Sequence, residues 1–247
     1  RLSDEKKGSF NDLEQKRHAL IQELKRSPIA IETDKANDQH YQVPTEFYDY
    51  VLGKYKKYSC CLYKSWSESL DEAEENMLNL YLERGEFADG QEVLDMGCGW
   101  GSFSLFAARK FPNSKFTLVS NSKTQRAYIE GKALEFGLKN IKVITEDMNR
   151  FDIDMKFDRI ISVEMFEHMR NYKELLAKIN RWLKPSGKLF VHIFVHKELT
   201  YKFDVVDDTD WMSKYFFSGG IMPSEHLLYY FQDDLKIKNH WRVSGLH

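Results

Sequence analysis

From residue 91 onward the chain alternates two patterns of apolar and polar positions. Short, nearly continuous apolar runs at 92–96, 115–120, 141–145, 157–163 and 188–195 read as strands. Between them, residues 102–110, 124–136 and 173–183 carry apolar positions at helical spacing, with Gly137 and Pro185-Ser186-Gly187 as stops. Apolar strands separated by helices predict a parallel sheet covered on both faces, an α/β, doubly wound, Rossmann-like core. In such sheets ligands bind outside the carboxyl ends of the strands, so the residues after each strand are the ones to search for chemistry.

The first third of the chain reads differently. A charged helical pattern runs from Asp4 to about Lys25, with Leu13, Leu20, Ile21 and Leu24 near one face, and Ser27-Pro28 breaks it. This amphipathic helix is expected to act as a lid or docking arm. Thr45 to Leu52 predicts a short helix with Thr45 as its N-cap. A third helix is expected over 71–84, stopped by Gly85, with Ala73, Met77, Leu80 and Tyr81 on one face. The expected organisation is a helical lid or cap over 1–88, a core over 89–200 and an incomplete acceptor-binding region over 201–247.

Composition narrows the classes. With 247 residues, 30% charged, 42% hydrophobic and a net charge of −2, the chain lacks the basic balance of a nucleic-acid binder. The basic cluster Lys54, Lys56 and Lys57 reads as a solvated loop. No apolar run reaches the roughly 20 residues of a membrane-spanning helix, and no signal peptide is visible. Three cysteines, two of them adjacent, argue against a disulfide framework and for a reducing, cytoplasmic setting.

Chemistry gathers at the predicted strand ends. After the first strand comes Asp95-Met96-Gly97-Cys98-Gly99-Trp100-Gly101, a turn whose bare backbone lets a ligand approach closely. No phosphate-grasping Lys-Ser/Thr follows, and Asp95 directly precedes the glycines. That form resembles the nucleoside-binding turn of S-adenosylmethionine methyltransferases, although dinucleotide enzymes use a similar turn. After the second strand no acid stands ready for a ribose, but Asn121 and Gln125 can donate and accept there, and Ser122 can cap the helix. After the third comes Glu146-Asp147-Met148, where a carboxylate can accept a hydrogen bond from an adenine amino group with Met148 on the ring, the other reading being a solvated loop acid. After the fourth, Val163 leads into Glu164-Met165-Phe166-Glu167-His168-Met169. If the chain turns helical there, Glu164, Glu167 and His168 share one face as a cation-binding, proton-accepting group. By itself, Glu167-His168 reads as a solvated pair. No further ligand is spaced to complete a metal site, so no metal is expected.

These residues, together with Tyr58-Ser59-Cys60-Cys61, Asp207-Asp208-Thr209-Asp210-Trp211, Met222-Pro223-Ser224, Tyr230-Phe231-Gln232-Asp233-Asp234 and Asn239-His240-Trp241, resemble the cyclopropane fatty acid synthase-like methyltransferases. Within that family they are similar to the plant coclaurine and pavine N-methyltransferases. The resemblance implies a class I S-adenosylmethionine-dependent methyltransferase acting on a small, alkaloid-like amine. It implies catalytic roles for Glu164, Glu167 and His168. It also implies cofactor contacts at Tyr58, Ser59, Asp95, Gly97, Gly99, Asn121, Gln125, Asp147, Met148 and Val163, with S-adenosyl-L-methionine as the cofactor. Acceptor contacts are expected at Cys60, His192, Trp211, Tyr215 and Phe216, although the four aromatics Trp211, Tyr215, Phe216 and Phe217 read equally as core. Cyclopropane synthases resemble this chain at Tyr58-Ser59-Cys60, Glu167-His168 and His192 but carry Gly where Glu164 stands. The alternative readings are therefore methylene transfer to an unsaturated lipid, aided by bicarbonate, and an inactive cofactor-binding module. Neither nucleic acid nor stable membrane association is expected, and a homodimer is left open. Family members extend past both ends of this chain, so a trimmed fragment with a sheet open at one edge is expected.

Overall fold

The computed structural model describes residues 5–31, 45–205 and 210–243; the Asp207 to Thr209 part of the motif ending at Trp211 lies outside them. The chain divides into two compact units. One is formed by residues 1–40, 165–180 and 193–238, the other by 41–164, 181–192 and 239–247.

The larger unit holds the sheet. Its strands are β1 (Glu92–Met96), β2 (Lys115–Ser120), β3 (Ile141–Thr145), β4 (Phe157–Val163) and β5 (Leu183–His192), in the order β3-β2-β1-β4-β5. All four pairings are parallel. Strand order reverses between β1 and β4, and a crevice opens outside the carboxyl ends at such a reversal. The last paired residues of β1 and β4 are Met96 and Ser162, partners in register. The glycine turn and Glu164 thus leave the sheet at neighbouring strand ends.

Four of the five strands have the bounds that the apolar runs predict. The fifth starts earlier and ends at His192, and Pro185-Ser186-Gly187 lies inside it rather than before it. The partner register jumps from Leu183 to Lys188 opposite Phe157 and Arg159, so the tripeptide bulges out of the ladder. A bulge tolerates a proline that a regular central strand does not.

Among the described residues, four helices belong to the same unit: α2 (Thr45–Val51), α3 (Leu70–Arg84), α4 (Ser102–Lys110) and α5 (Lys123–Glu135). Ser69 opens α3 with a capping box, its hydroxyl accepting from the Glu72 amide while the Glu72 carboxylate accepts from the Ser69 amide. Met77, Leu78, Tyr81 and Leu82 of this helix are core, packed with Phe103, Phe106, Phe116 and Phe190. The third helix of the expected cap is thereby part of the wall of the sheet unit.

In the other unit, α1 (Phe10–Leu24) starts later than the charged pattern suggests. Ser9 caps it in a second capping box with Asp12, and Gly8 just before it sits at φ +125. The helix α6 (Tyr172–Trp182) begins here, after a 3₁₀ turn at Phe166–His168, and β6 (Tyr201–Lys202) pairs antiparallel with β7 (Ile221–Met222). Among the described residues no helix is long and apolar enough to cross a membrane.

Candidate active site

The glycine turn is built to need glycine. Gly97, Gly99 and Gly101 all have positive φ, at +71, +54 and +75. Gly97 and Cys98 both donate their amides to the Val119 carbonyl, which pins the turn to the end of β2. A Cβ on Gly99 would meet nothing within 4 Å, whereas one on Gly101 would lie 2.8 Å from Ile129 Cγ1. Gly101 therefore serves helix packing, and Gly99 keeps a bare face open. Asp95 is buried and accepts from Ser104 Oγ at 2.6 Å, tying the turn to α4. Burial pushes its carboxyl up to about 7.

Trp100, inside this turn, anchors an aromatic group. Its ring lies 5.0 Å from Tyr48 of α2 and 5.3 Å from Tyr128 of α5, and Tyr58 packs 5.3 Å from Tyr48. The Lys56 ammonium stands 5.0 Å from the Tyr128 ring and pairs with Asp49. Lys56 and Lys57 are buried, 5% and 3% exposed, which corrects the solvated-loop expectation. Their cost is met by rings and carboxylate for one and by three oxygens for the other.

The sequence-predicted residues Asn121, Ser122 and Gln125 follow β2, and Asp147 and Met148 follow β3. Ser122 caps α5, accepting from the Gln125 amide. Gln125 is 1% exposed; its Oε1 accepts from Ser120 Oγ, and its Nε2 has no partner among the described residues. Asn121 follows β2 half-buried. Asp147 is half-buried after β3, with Met148 buried beside it, and the Asp147 Oδ1 accepts from the Asn149 amide at 2.7 Å.

Glu164 corrects the helical reading of its motif. It sits at φ +49, and only Phe166–His168 form a 3₁₀ turn, so Glu164, Glu167 and His168 do not share a helix face. The Glu164 amide instead donates to the His192 carbonyl at 2.9 Å, extending the β4–β5 ladder by one bond. The side chains of Glu164, His192 and Cys60 converge, each with a ligand-type atom within 4.8 Å of the others. His192 Nε2 lies 3.5 Å from Cys60 Sγ and its Nδ1 2.5 Å from the Tyr81 hydroxyl. Lys57 Nζ donates to Tyr81 Oη at 3.0 Å, to the Cys60 carbonyl at 2.6 Å and to Ser59 Oγ at 2.5 Å. Burial, with the charges of Lys57 and Arg84, lowers His192 to about 4, so its ring is neutral. Burial also lowers Lys57 and raises the Cys60 thiol.

Glu167 and His168 lie in the smaller unit, where Glu167 is 2% exposed and the His168 ring stands 5.3 Å from Phe217. Phe217 is core there, stacked 5.0 Å from Phe203. Trp211 and Tyr215 are exposed neighbours on α7 (Trp211–Tyr215), 6.0 Å apart, and Phe216 is half-buried against Phe217. The aromatic quartet therefore splits into a core residue, Phe217, a half-buried one, Phe216, and the exposed pair Trp211 and Tyr215. Lys57 and Tyr81 escaped the sequence reading as site residues. Tyr81 showed only as a core position of its helix, and Lys57 only as one of three loop lysines.

A parallel sheet with order 3-2-1-4-5, a glycine turn after β1 and polar side chains after the other strands define the fold of a class I S-adenosylmethionine-dependent methyltransferase. The chain belongs to the family described as mycolic acid cyclopropane synthetase, which it matches over residues 30–243. It is 42% identical over 230 residues to an (S)-coclaurine N-methyltransferase of Thalictrum flavum subsp. glaucum, covering 92% of this chain and 64% of that relative. It is 44% identical over 230 residues to the (S)-coclaurine N-methyltransferase of Papaver somniferum, covering 92% of this chain and 66% of that protein. The chain thus spans just under two thirds of the length of these relatives. Among solved structures, a coclaurine N-methyltransferase bound to N-methylheliamine and SAH superposes with a TM-score of 0.94 at 38% identity, over 100% of this chain and 72% of that one.

Proposed function

We propose that the chain acts as an S-adenosylmethionine-dependent N-methyltransferase on a small, alkaloid-like amine of the benzylisoquinoline type. The observation that carries this reading is Glu164, a carboxylate at the end of β4, beside the reversal in strand order, gathered with His192 and Cys60. A carboxylate there suits a substrate that is, or becomes, a cation. The similarity to coclaurine N-methyltransferases over 92% of the chain supports the same acceptor class.

The residues after β1, β2 and β3 fit the cofactor. Gly99 leaves the space a ligand needs, and the buried Gln125 amide group has an N–H donor to spare. Asp147 and Met148 are assigned to the adenine, Asn121 and Gln125 to the ribose, and Gly97 and Gly99 to close backbone approach. Tyr58, Ser59 and Val163 are assigned as further cofactor contacts. Asp95, held by Ser104, shapes the turn. S-adenosylmethionine supplies an already activated methyl group, which leaves the protein to align the nucleophile and take its proton. An aliphatic amine is mostly protonated at neutral pH and must lose that proton to attack. Glu164 holds the ammonium form in line; Glu167 and His168 are assigned as second carboxylate and proton acceptor. Three free thiols support a reducing compartment.

Calorimetry with S-adenosylmethionine and with SAH, followed by turnover assays, tests the reading. Methylation of a coclaurine-type amine, independent of bicarbonate, supports it. Turnover only on unsaturated lipid with bicarbonate replaces it with the synthase route, and cofactor binding without turnover on any amine leaves a binding module.

A further inference from the structure

Cys60, Glu164 and His192 are far apart in sequence, yet the larger unit brings a thiol, a carboxylate and an imidazole to within 4.8 Å of one another. A tetrahedral ion with bonds of ~2.0–2.3 Å separates its ligand atoms by about 3.3–3.8 Å. The Cys60 Sγ to His192 Nε2 distance is 3.5 Å, so this pair stands at ligand spacing before any ion arrives. We propose that Cys60, Glu164 and His192 bind one divalent transition metal ion of the zinc type. Three protein ligands leave its fourth position open.

The donor set selects the ion. Thiolate with imidazole and carboxylate suits zinc or cobalt, whereas magnesium and calcium seek oxygen ligands alone. Tyr81 supplies the outer hydrogen bond that a metal-bound histidine uses to fix its ring. Its hydroxyl both donates and accepts, so it serves the Nδ1–H tautomer that binding through Nε2 requires. Coordination forms one bond each to sulfur, nitrogen and oxygen. The thiol proton and the Nε2 proton of His192 leave to solvent, and Nδ1 takes one proton back from solvent, so the ring stays neutral and one proton is released overall. The Lys57 ammonium opposes a nearby cation, but its protons are committed to Ser59 Oγ, the Cys60 carbonyl and Tyr81 Oη. Two anionic ligands outweigh that single charge. An ion in this place takes the Glu164 carboxylate, so it also inhibits amine methylation; that consequence rests on the function proposed above, whereas the binding does not.

Cobalt(II) titrated into the reduced, cofactor-free chain reads the site optically. The expected result is one equivalent bound with a thiolate-to-cobalt charge-transfer band, abolished by stoichiometric zinc. Cys60→Ser should lose the band and Cys61→Ser should keep it. Glu164→Gly relieves a positive φ and so retains the fold; it should bind cobalt at least tenfold more weakly. A band that survives Cys60→Ser, a band lost in Cys61→Ser, an unweakened Glu164→Gly, or no band at millimolar cobalt overturns the proposal.

Discussion

The Tyr81 hydroxyl lies 2.5 Å from Nδ1 of His192, and the two rings meet edge to face at 5.2 Å. Lys57 donates to the same hydroxyl, which leaves the tyrosine proton free to point at Nδ1. The imidazole is then neutral, with its remaining proton on Nε2, toward Cys60 Sγ. A buried ammonium and a neutral histidine at the end of β5 thus share one tyrosine hydroxyl.

His192 should titrate far below an ordinary histidine. Its folded pKa is about 4, under the ordinary 6.5, so the unfolded chain binds the extra proton between those values. This group's contribution to stability is complete above pH 6.5 and is lost as pH falls toward 4. Histidine NMR checks it: the His192 ring should stay neutral down to about pH 5. In Tyr81→Phe the neutral tautomer loses its donor, and the midpoint should rise. A wild-type midpoint near 6.5 would contradict the burial and the relay together.

Glu164 combines an unfavourable backbone with a useful side chain. At φ +49 a non-glycine residue costs about 1–2 kcal/mol. Glycine removes that strain but adds about 0.5–1 kcal/mol of chain entropy, so Glu164→Gly should leave stability within about 1 kcal/mol of wild type. Amine turnover should nonetheless fall roughly ten- to a hundredfold, the equivalent of losing a charge-assisted hydrogen bond of about 1.5–3 kcal/mol. Glu164→Gln, which keeps the shape, should fall in the same range. Thermal melts beside kcat/KM for both variants separate the two effects. Amine methylation by Glu164→Gly at the wild-type rate would remove Glu164 from the mechanism.

The strands of the sheet were legible because a parallel sheet buries both faces and so writes continuous apolar runs into the sequence. The glycine turn was legible because backbone freedom leaves no substitute for glycine. Three features were not. The bulge at 184–187 looks locally like a helix stop, since Pro and Gly mark both. The path of Glu164 depends on its amide bonding to His192, a partner on another strand. The burial of Lys57 depends on Tyr81, Ser59 and a carbonyl, and nothing in the spacing of Lys54, Lys56 and Lys57 distinguishes the two that are buried or the one that pairs with Tyr81.

The glycines of the turn should separate by function. Gly101→Ala combines a φ of +75 with a 2.8 Å approach to Ile129 Cγ1, so strain and overpacking add. It should cost about 2–4 kcal/mol in denaturant unfolding. Gly99→Ala meets no atom within 4 Å and should cost only the backbone share, about 1–2 kcal/mol, while weakening cofactor affinity at least tenfold. If Gly99→Ala binds S-adenosylmethionine as well as wild type, the cofactor does not lie against this turn.

Asp95 offers the opposite pH signature to His192. Burial, only partly offset by the Ser104 hydrogen bond, raises its carboxyl to about 7 from 3.8. The folded chain therefore holds a proton that the unfolded chain releases between those values, and stability falls as pH rises through that window. Its contribution is fully present below pH 3.8 and is spent above pH 7. Asp95→Asn cannot ionise, and its side-chain oxygen can still accept from Ser104 Oγ. The variant should resemble wild type near pH 4 and gain on it as pH rises, by on the order of 2–4 kcal/mol at pH 8. Urea unfolding of both proteins across pH 4–8 measures the difference directly. A pH-independent difference would mean that Asp95 reaches solvent and that its carboxylate is charged in the folded chain.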